Sequence, residues 1–384
     1  MRNAILAVVL FCINAWAAAA SLPAPAVPPP PGIAAKSYLL MDADTSRIIA
    51  EQNGDEPLHP ASLTKIMTGY IAAEELASGR IALADEVLVS VEAWRTPGSR
   101  MFIQEGTRVS VSDLLRGIIV QSGNDASVAL AEHIAGGEDA FADMMNREAD
   151  ELGLTATKFR NSTGLPAEDH YTSARDLAIL TREYIARYPE NYAIYAERSF
   201  KYNDIEQPNR NRLLWRDRTV DGVKTGHTEA AGYCLVASAK QDGMRLISVV
   251  MGAADGNTRV RETQKLLTYG FRYYETKRLY EADVPLKSAE IWYGEADSVD
   301  IGVAEPVVVT IPRGYYDDVA VELQLPNLLE APLPAGAEIG ALHVTLGEEP
   351  VYAAPLVALQ GVEESGVLAR AADFVQLLFS RMFE

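Results

Sequence analysis

The sequence predicts a mixed α/β (α+β) fold: one sheet flanked by helices, then a small all-β domain, then an amphipathic C-terminal helix. Three observations predict it. Two short β-type runs, a helical block, an apolar hairpin and a closing helix follow one another, the order of a sheet covered by helices. Beyond about Tyr280 the pattern changes to short alternating runs cut by Pro, Gly and Asp, which read as a separate β-rich domain. From Val362 helical spacing returns, with an apolar face against a polar one.

Residues 1–20 are a separate object. Arg2 precedes the apolar run AILAVVLFCINAW, which ends in AAAA before Ser21, the make-up of a secretory signal peptide cleaved after Ala20. An uncleaved anchor is the other reading, but the run is short for a bilayer span. Export agrees with the cysteines: Cys12 leaves with the signal, and Cys234 alone can form no internal disulfide. Residues 21–34, a Pro-rich leader (SLPAPAVPPPPG), cannot form helix or central strand and read as a tether.

The first domain is expected over 35–279. SYLLMDA and RIIAEQ around Asp44-Thr45-Ser46 form a hairpin, and a helix opens near Ser62. Further helices are read at 113–120, 126–135 and 174–188. Then come VDGVKTGH, YCLVASAK and RLISVVMG, the last two joined through Asp242-Gly243, and a helix from about Arg259 to Glu275. The β-rich domain is expected over 280–361 and the amphipathic helix over 362–384. In that helix Val367, Leu368, Ala371, Phe374, Val375, Leu378, Phe379 and Met382 share a face.

A chain of 384 residues, 48% hydrophobic and 23% charged, suffices for two globular domains. A formal net charge of -19 excludes nucleic acid as a partner, because phosphate binding needs clustered Lys and Arg. His59, His133, His170 and His343 lack metal-ligand spacing, so neither metal nor cofactor is expected.

The chemistry is carried by three short motifs. In HPASLTK, Ser62 and Lys65 stand three apart on a helical segment and can touch. A hydroxyl needs a base to become a nucleophile, and a lysine serves if it is kept neutral. An isolated pair of this kind would be ordinary surface. Here, however, QSGND presents Ser122 and Asn124 from a short loop, and KTGHT opens a strand with Lys224, Thr225, Gly226 and His227. S-x-x-K, S-x-N and K-T-G in this order are a strong combined signal.

On these motifs, with FRNSTGL (159–165), QPNRNRLLW (207–215) and the stretch Gly252 to Arg259, the chain resembles the low-molecular-mass penicillin-binding proteins. These are exported serine-type D-alanyl-D-alanine carboxypeptidases of bacteria. The resemblance implies a β-lactamase/transpeptidase-like catalytic domain, a stem peptide ending in D-Ala-D-Ala as substrate, and β-lactams as covalent ligands. It also implies residence on the periplasmic face of the inner membrane, held at the membrane surface by the C-terminal helix.

Ser62 is then the nucleophile and Lys65 its base, kept partly neutral by desolvation and a second ammonium, for which Lys224 is the candidate. Lys224 could also hold Ser122 in a chain returning a proton to the leaving amine, while Asn124 orients Lys65 and the substrate amide. The resemblance puts the oxyanion between the backbone N–H groups of Ser62 and His227, with Gly226 in the same substrate-binding strand. Thr225 is a candidate for the terminal carboxylate, and the resemblance adds Arg210 and Arg259. Asn161-Ser162-Thr163 matches a glycosylation sequon but reads as part of the rim loop.

Three rivals remain. A serine β-lactamase needs a carboxylate for deacylation, and Glu168 and Asp169 lack the E-x-x-L-N pattern. A D,D-endopeptidase would share the whole catalytic set, although such relatives usually lack the second domain. A non-catalytic wall-binding scaffold has no use for five placed residues.

Overall fold

The computed structural model describes residues 27–383, with side chains up to Phe379. The expected signal peptide and the first six residues of the leader lie outside the described residues. Two compact units account for the rest: Val27–Val284 with Glu305–Gly314, and Pro285–Ala304 with the chain from Tyr315 onward.

The first unit is built on an antiparallel sheet of β1 (Ser37–Asp42), β2 (Ile48–Gln52), β3 (Val220–Thr228), β4 (Gly232–Gln241) and β5 (Met244–Ala253). The strand order is β2-β1-β5-β4-β3, which leaves β3 and its K-T-G motif on an edge. Every residue of β1 is buried, so its side chains feed two cores at the two-residue period of a strand. Leu39 and Met41 enter one core with α1 (Lys65–Ala77) and α4 (Ala174–Arg187), and Leu40 enters the other with α5 (Gly256–Tyr273).

Helix α1 is buried on nearly all sides, from Lys65 to Ala73, as suits a helix apolar around its circumference. Asp255 caps α5 by accepting from Asn257 N at 2.8 Å and Thr258 N at 2.9 Å, so this helix starts three residues before the expected Arg259. A third core gathers residues between Ala72 and Leu130, with Phe200, around α2 (Asn124–Ala135), and α3 (Glu138–Glu151) follows it.

Two expectations about organisation change. The described part of the leader is not a free tether: Tyr269 donates to the Pro28 carbonyl at 2.8 Å, Ala34 N donates to Glu262, and Val27 and Ile33 pack against the core beside α5. Residues 305–314 return to the first unit, where Val307–Pro312 pairs with Tyr274–Tyr280 and Arg47 donates to the Thr310 carbonyl at 2.8 Å. A long-range pairing of this kind leaves no mark in local periodicity.

The second unit carries a five-stranded antiparallel sheet, ordered 287–290, 298–302, 349–358, 338–346 and 319–324. Its pairing runs past the expected end at Gly361: Val362 bridges Leu333, Glu364 bridges Gly294, and Ser365 N donates to the Tyr293 carbonyl at 2.8 Å. Helix α6 (Val367–Phe383) follows. Asp373 accepts from Tyr293 N at 2.9 Å and Leu377 is buried, while Val367, Leu368, Phe374, Val375, Leu378 and Phe379 are each at least half exposed.

Candidate active site

A 3-10 turn, Ala61–Thr64, brings the chain into α1 and sets Ser62 one turn before Lys65. Lys65 is fully buried, and its Nζ has three partners: Asn124 Oδ1 at 2.6 Å, the Thr163 carbonyl at 2.6 Å and Ser62 Oγ at 3.3 Å. Burial lowers its pKa from 10.5 to about 7, against the pull of Glu138 and Asp125, which favour the charged form.

The S-x-N loop owes its shape to one left-handed residue. Ser122 has φ 67°, ends the helical segment Gly117–Gln121, and turns the chain so that Asn124 starts α2 beside Lys65. Asn124 is held on every side: its N–H donates to Ser99 O at 2.7 Å, and its Nδ2 to Pro97 O at 2.6 Å. The neighbouring Asp125 carboxylate accepts from Met101 N and Phe102 N, each at 2.9 Å, and so straps the loop before them to the start of α2.

On the edge strand, Lys224 is buried and its Nζ donates to Thr225 O at 3.2 Å. Among the described residues no hydrogen bond joins it to Ser122. Its pKa is pushed well down, first by burial and then by Lys65, Arg210 and Arg259. Burial is the largest cause at both lysines, and the repulsion between their charges, being mutual, disfavours protonation of either.

Gly226 lies close to the turn that carries Ser62: a Cβ there would stand 3.0 Å from Pro60 O and 3.2 Å from Ala61 Cβ, so any larger residue would crowd that turn. His227 is exposed and its ring lies on Tyr233 with centroids 3.9 Å apart. Arg259 sits over the same tyrosine and gives Nη1 to Gly226 O at 2.9 Å and Cys234 O at 3.3 Å. Arg210 is exposed, and its side chain makes no hydrogen bond or ion pair among the described residues. Thr225 is buried beside Lys224.

The structure thus joins Ser62, Lys65 and Asn124 by direct bonds, and brings Lys224, Arg210 and Arg259 into one electrostatic cluster with Lys65. Three contributors were not picked out by the motifs. Thr163 serves Lys65 through its carbonyl, Asp125 through backbone N–H groups, and Glu138 through Ser162. The sequon stretch is more than rim: Asn161 Oδ1 folds it by accepting from Thr163 Oγ1 and Gly164 N, both at 2.8 Å. Glu168 and Asp169 are exposed, and Asp169 pairs with Arg160 at 3.3 Å.

Comparison with known proteins agrees with this geometry. Residues 24–255 match the family model of D-alanyl-D-alanine carboxypeptidase, and residues 274–364 match that of the penicillin-binding protein 5 C-terminal domain. The chain is 43% identical over 382 residues to the D-alanyl-D-alanine carboxypeptidase DacC of Escherichia coli K12, covering 97% of this chain and 94% of that protein. It is 41% identical over 365 residues to DacA of the same organism, covering 93% and 91%. The crystal structure of penicillin-binding protein 5 from Haemophilus influenzae superposes with a TM-score of 0.84 at 43% identity, over 87% of this chain and 99% of that one. The chain belongs to the serine-type D-alanyl-D-alanine carboxypeptidase family, with the catalytic and C-terminal β domains characteristic of it.

Proposed function

We propose that the protein removes the terminal D-alanine from peptidoglycan stem pentapeptides through an acyl-enzyme on Ser62, and that penicillins acylate the same serine. The observation that carries this reading is the set of partners around Lys65 Nζ. A neutral amine has two N–H bonds and one lone pair. Asn124 Oδ1 and Thr163 O, both at 2.6 Å, take the two hydrogens and leave the lone pair for the Ser62 hydroxyl at 3.3 Å. A pKa near 7 keeps a useful fraction in that form at neutral pH.

Ser62 Oγ attacks the penultimate D-alanine carbonyl as its proton passes to Lys65 Nζ, and the backbone N–H groups of Ser62 and His227 receive the oxyanion. The proton moves on to the leaving amine through Ser122, D-alanine departs, and water cleaves the ester by the same route. Arg210 is the freer candidate for the carboxylate, since Arg259 is occupied with strand carbonyls.

The same reading puts the protein outside the cytoplasm, lying at the membrane surface through the exposed apolar residues of α6. No helix among the described residues is long and apolar enough to cross a membrane. The test is mass spectrometry after penicillin exposure together with D-alanine release from a stem pentapeptide. One acyl group on Ser62 and release by the wild type are expected. An adduct elsewhere, or no released D-alanine, would overturn the assignment.

A further inference from the structure

The carbonyl that receives Lys65 lies in the segment 161–165, and what holds that segment has no part in the motifs. Glu138, the first residue of α3, reaches it with both carboxylate oxygens. It accepts from Ser162 Oγ at 2.6 Å and from Ser162 N at 3.1 Å. The Ser162 carbonyl in turn accepts from Thr68 Oγ1 at 2.7 Å, one turn along α1 from Lys65. Ser162 and Thr163 are both buried and the Thr68 bond is made away from water, while the two bonds to Glu138 are partly so. A carboxylate is also at ease on the first turn of a helix.

We propose that Glu138 is a positioning residue for the reaction: by gripping Ser162 through its N–H and its hydroxyl it holds the Thr163 carbonyl on Lys65 Nζ, and it supplies negative charge to the surroundings of that amine. The inference rests on Lys65 acting as the base. The charged groups facing Lys65 are Asp125 from α2, Glu138 from α3 and Lys224 from β3, the last flanked by Arg210 and Arg259. Glu92 and Glu132 face Glu138. Glu138 favours the protonated amine, so removing its charge makes Lys65 easier to deprotonate.

The experiment measures the acylation rate constant with a fluorescent penicillin from about pH 5 to 10, where the rate rises as Lys65 loses its proton. Glu138→Gln keeps an oxygen for Ser162 but not the charge. Its acid limb moves to lower pH by about half a unit, with the high-pH plateau within about two-fold of wild type. Ser162→Ala keeps the charge but loses the hydroxyl grip, so its limb stays and its plateau falls about ten-fold. Glu138→Ala shows both effects.

A purely structural Glu138 would change the melting temperature and leave the limb where it is, so an unmoved limb in Glu138→Gln overturns the inference. If Glu138→Ala does not fold, the two near-isosteric variants still decide. Lys65→Ala separates the failures. Acylation surviving there removes the base assignment and this inference together, whereas an inactive Lys65→Ala with an unmoved Glu138→Gln limb removes the inference alone.

Discussion

Asn124 Oδ1 stands 2.6 Å from Lys65 Nζ, and the amide cannot turn round because its Nδ2 is tied to Pro97 O at the same distance. The acceptor facing the amine is therefore neutral by construction. Asn124→Asp would replace it with a carboxylate of nearly the same shape. An anion at hydrogen-bond distance favours the ammonium and raises the Lys65 pKa by about 1–3 units. Acylation at pH 7 should fall about ten-fold or more, and the acid limb of its pH profile should move upward. Measured rates from pH 6 to 10 check this; an unchanged limb would show that Lys65 is not the titrating base.

The same burial makes Lys65 a cost to stability. Its pKa falls from 10.5 unfolded to about 7 folded, so between those values the unfolded chain binds more protons and stability rises with pH. At and below pH 7 the penalty is fully present, a few kcal/mol at about 1.4 kcal/mol per unit, less the hydrogen bonds the lysine makes. Lys65→Met should abolish acylation yet raise the melting temperature. The gain should be greatest near pH 6–7 and shrink toward pH 10. A variant less stable than wild type at every pH would mean that the bonds to Asn124 and Thr163 outweigh desolvation.

Much of this site was legible in the sequence, because side-chain chemistry at fixed spacing survives in the order of letters. Ser62, Lys65, Ser122, Asn124 and Lys224 stand out as motifs, and one sheet flanked by helices follows from the order of the elements. What stayed hidden acts through the backbone or over long separations. Thr163 contributes a carbonyl that any residue possesses. Glu138 reaches Ser162 across 24 positions, and Thr310 comes back beside Arg47 across 263. The apolar tail was visible as a face; its bond from Tyr293 to Asp373 was not.

Arg210 and Arg259 should separate in one cycle. Arg259 spends its guanidinium on Gly226 O and Cys234 O and stacks on Tyr233, so it shapes the β3–β4 edge. Arg210 has no such ties. Amidating the terminal carboxylate of a stem peptide should reduce kcat/KM sharply in wild type and in Arg259→Lys, but only slightly in Arg210→Ala, where the interaction is already gone. Equal penalties in wild type and Arg210→Ala would take Arg210 out of the carboxylate site and leave Thr225 as the remaining candidate.

The last prediction concerns where the tail begins. Removing everything after Gly361 would strip Val362, Glu364 and Ser365 from their partners Leu333, Gly294 and Tyr293, so such a cut damages the β unit as well as removing α6. A chain ending at Gly366 isolates the helix. It loses the Tyr293 N to Asp373 hydrogen bond, worth about 1 kcal/mol, the exposed Arg370–Glu364 pair, worth at most about 1 kcal/mol, and the burial of Leu377, worth up to about 2 kcal/mol. Its melting temperature should fall by only a few degrees, and D-alanine release from soluble peptide should be unchanged. The shorter chain should melt much lower. Membrane binding should disappear in both, because Leu368, Phe374, Val375, Leu378 and Phe379 are gone. Electrostatics should matter little: Arg370 is paired with Glu364 at 2.9 Å, leaving it little charge for anionic lipid. Vesicles of zwitterionic lipid alone should therefore retain the full chain in moderate salt and release it in detergent. Retention of the chain ending at Gly366 would move the membrane contact to another part of the molecule, and release of the full chain by salt would make the contact electrostatic.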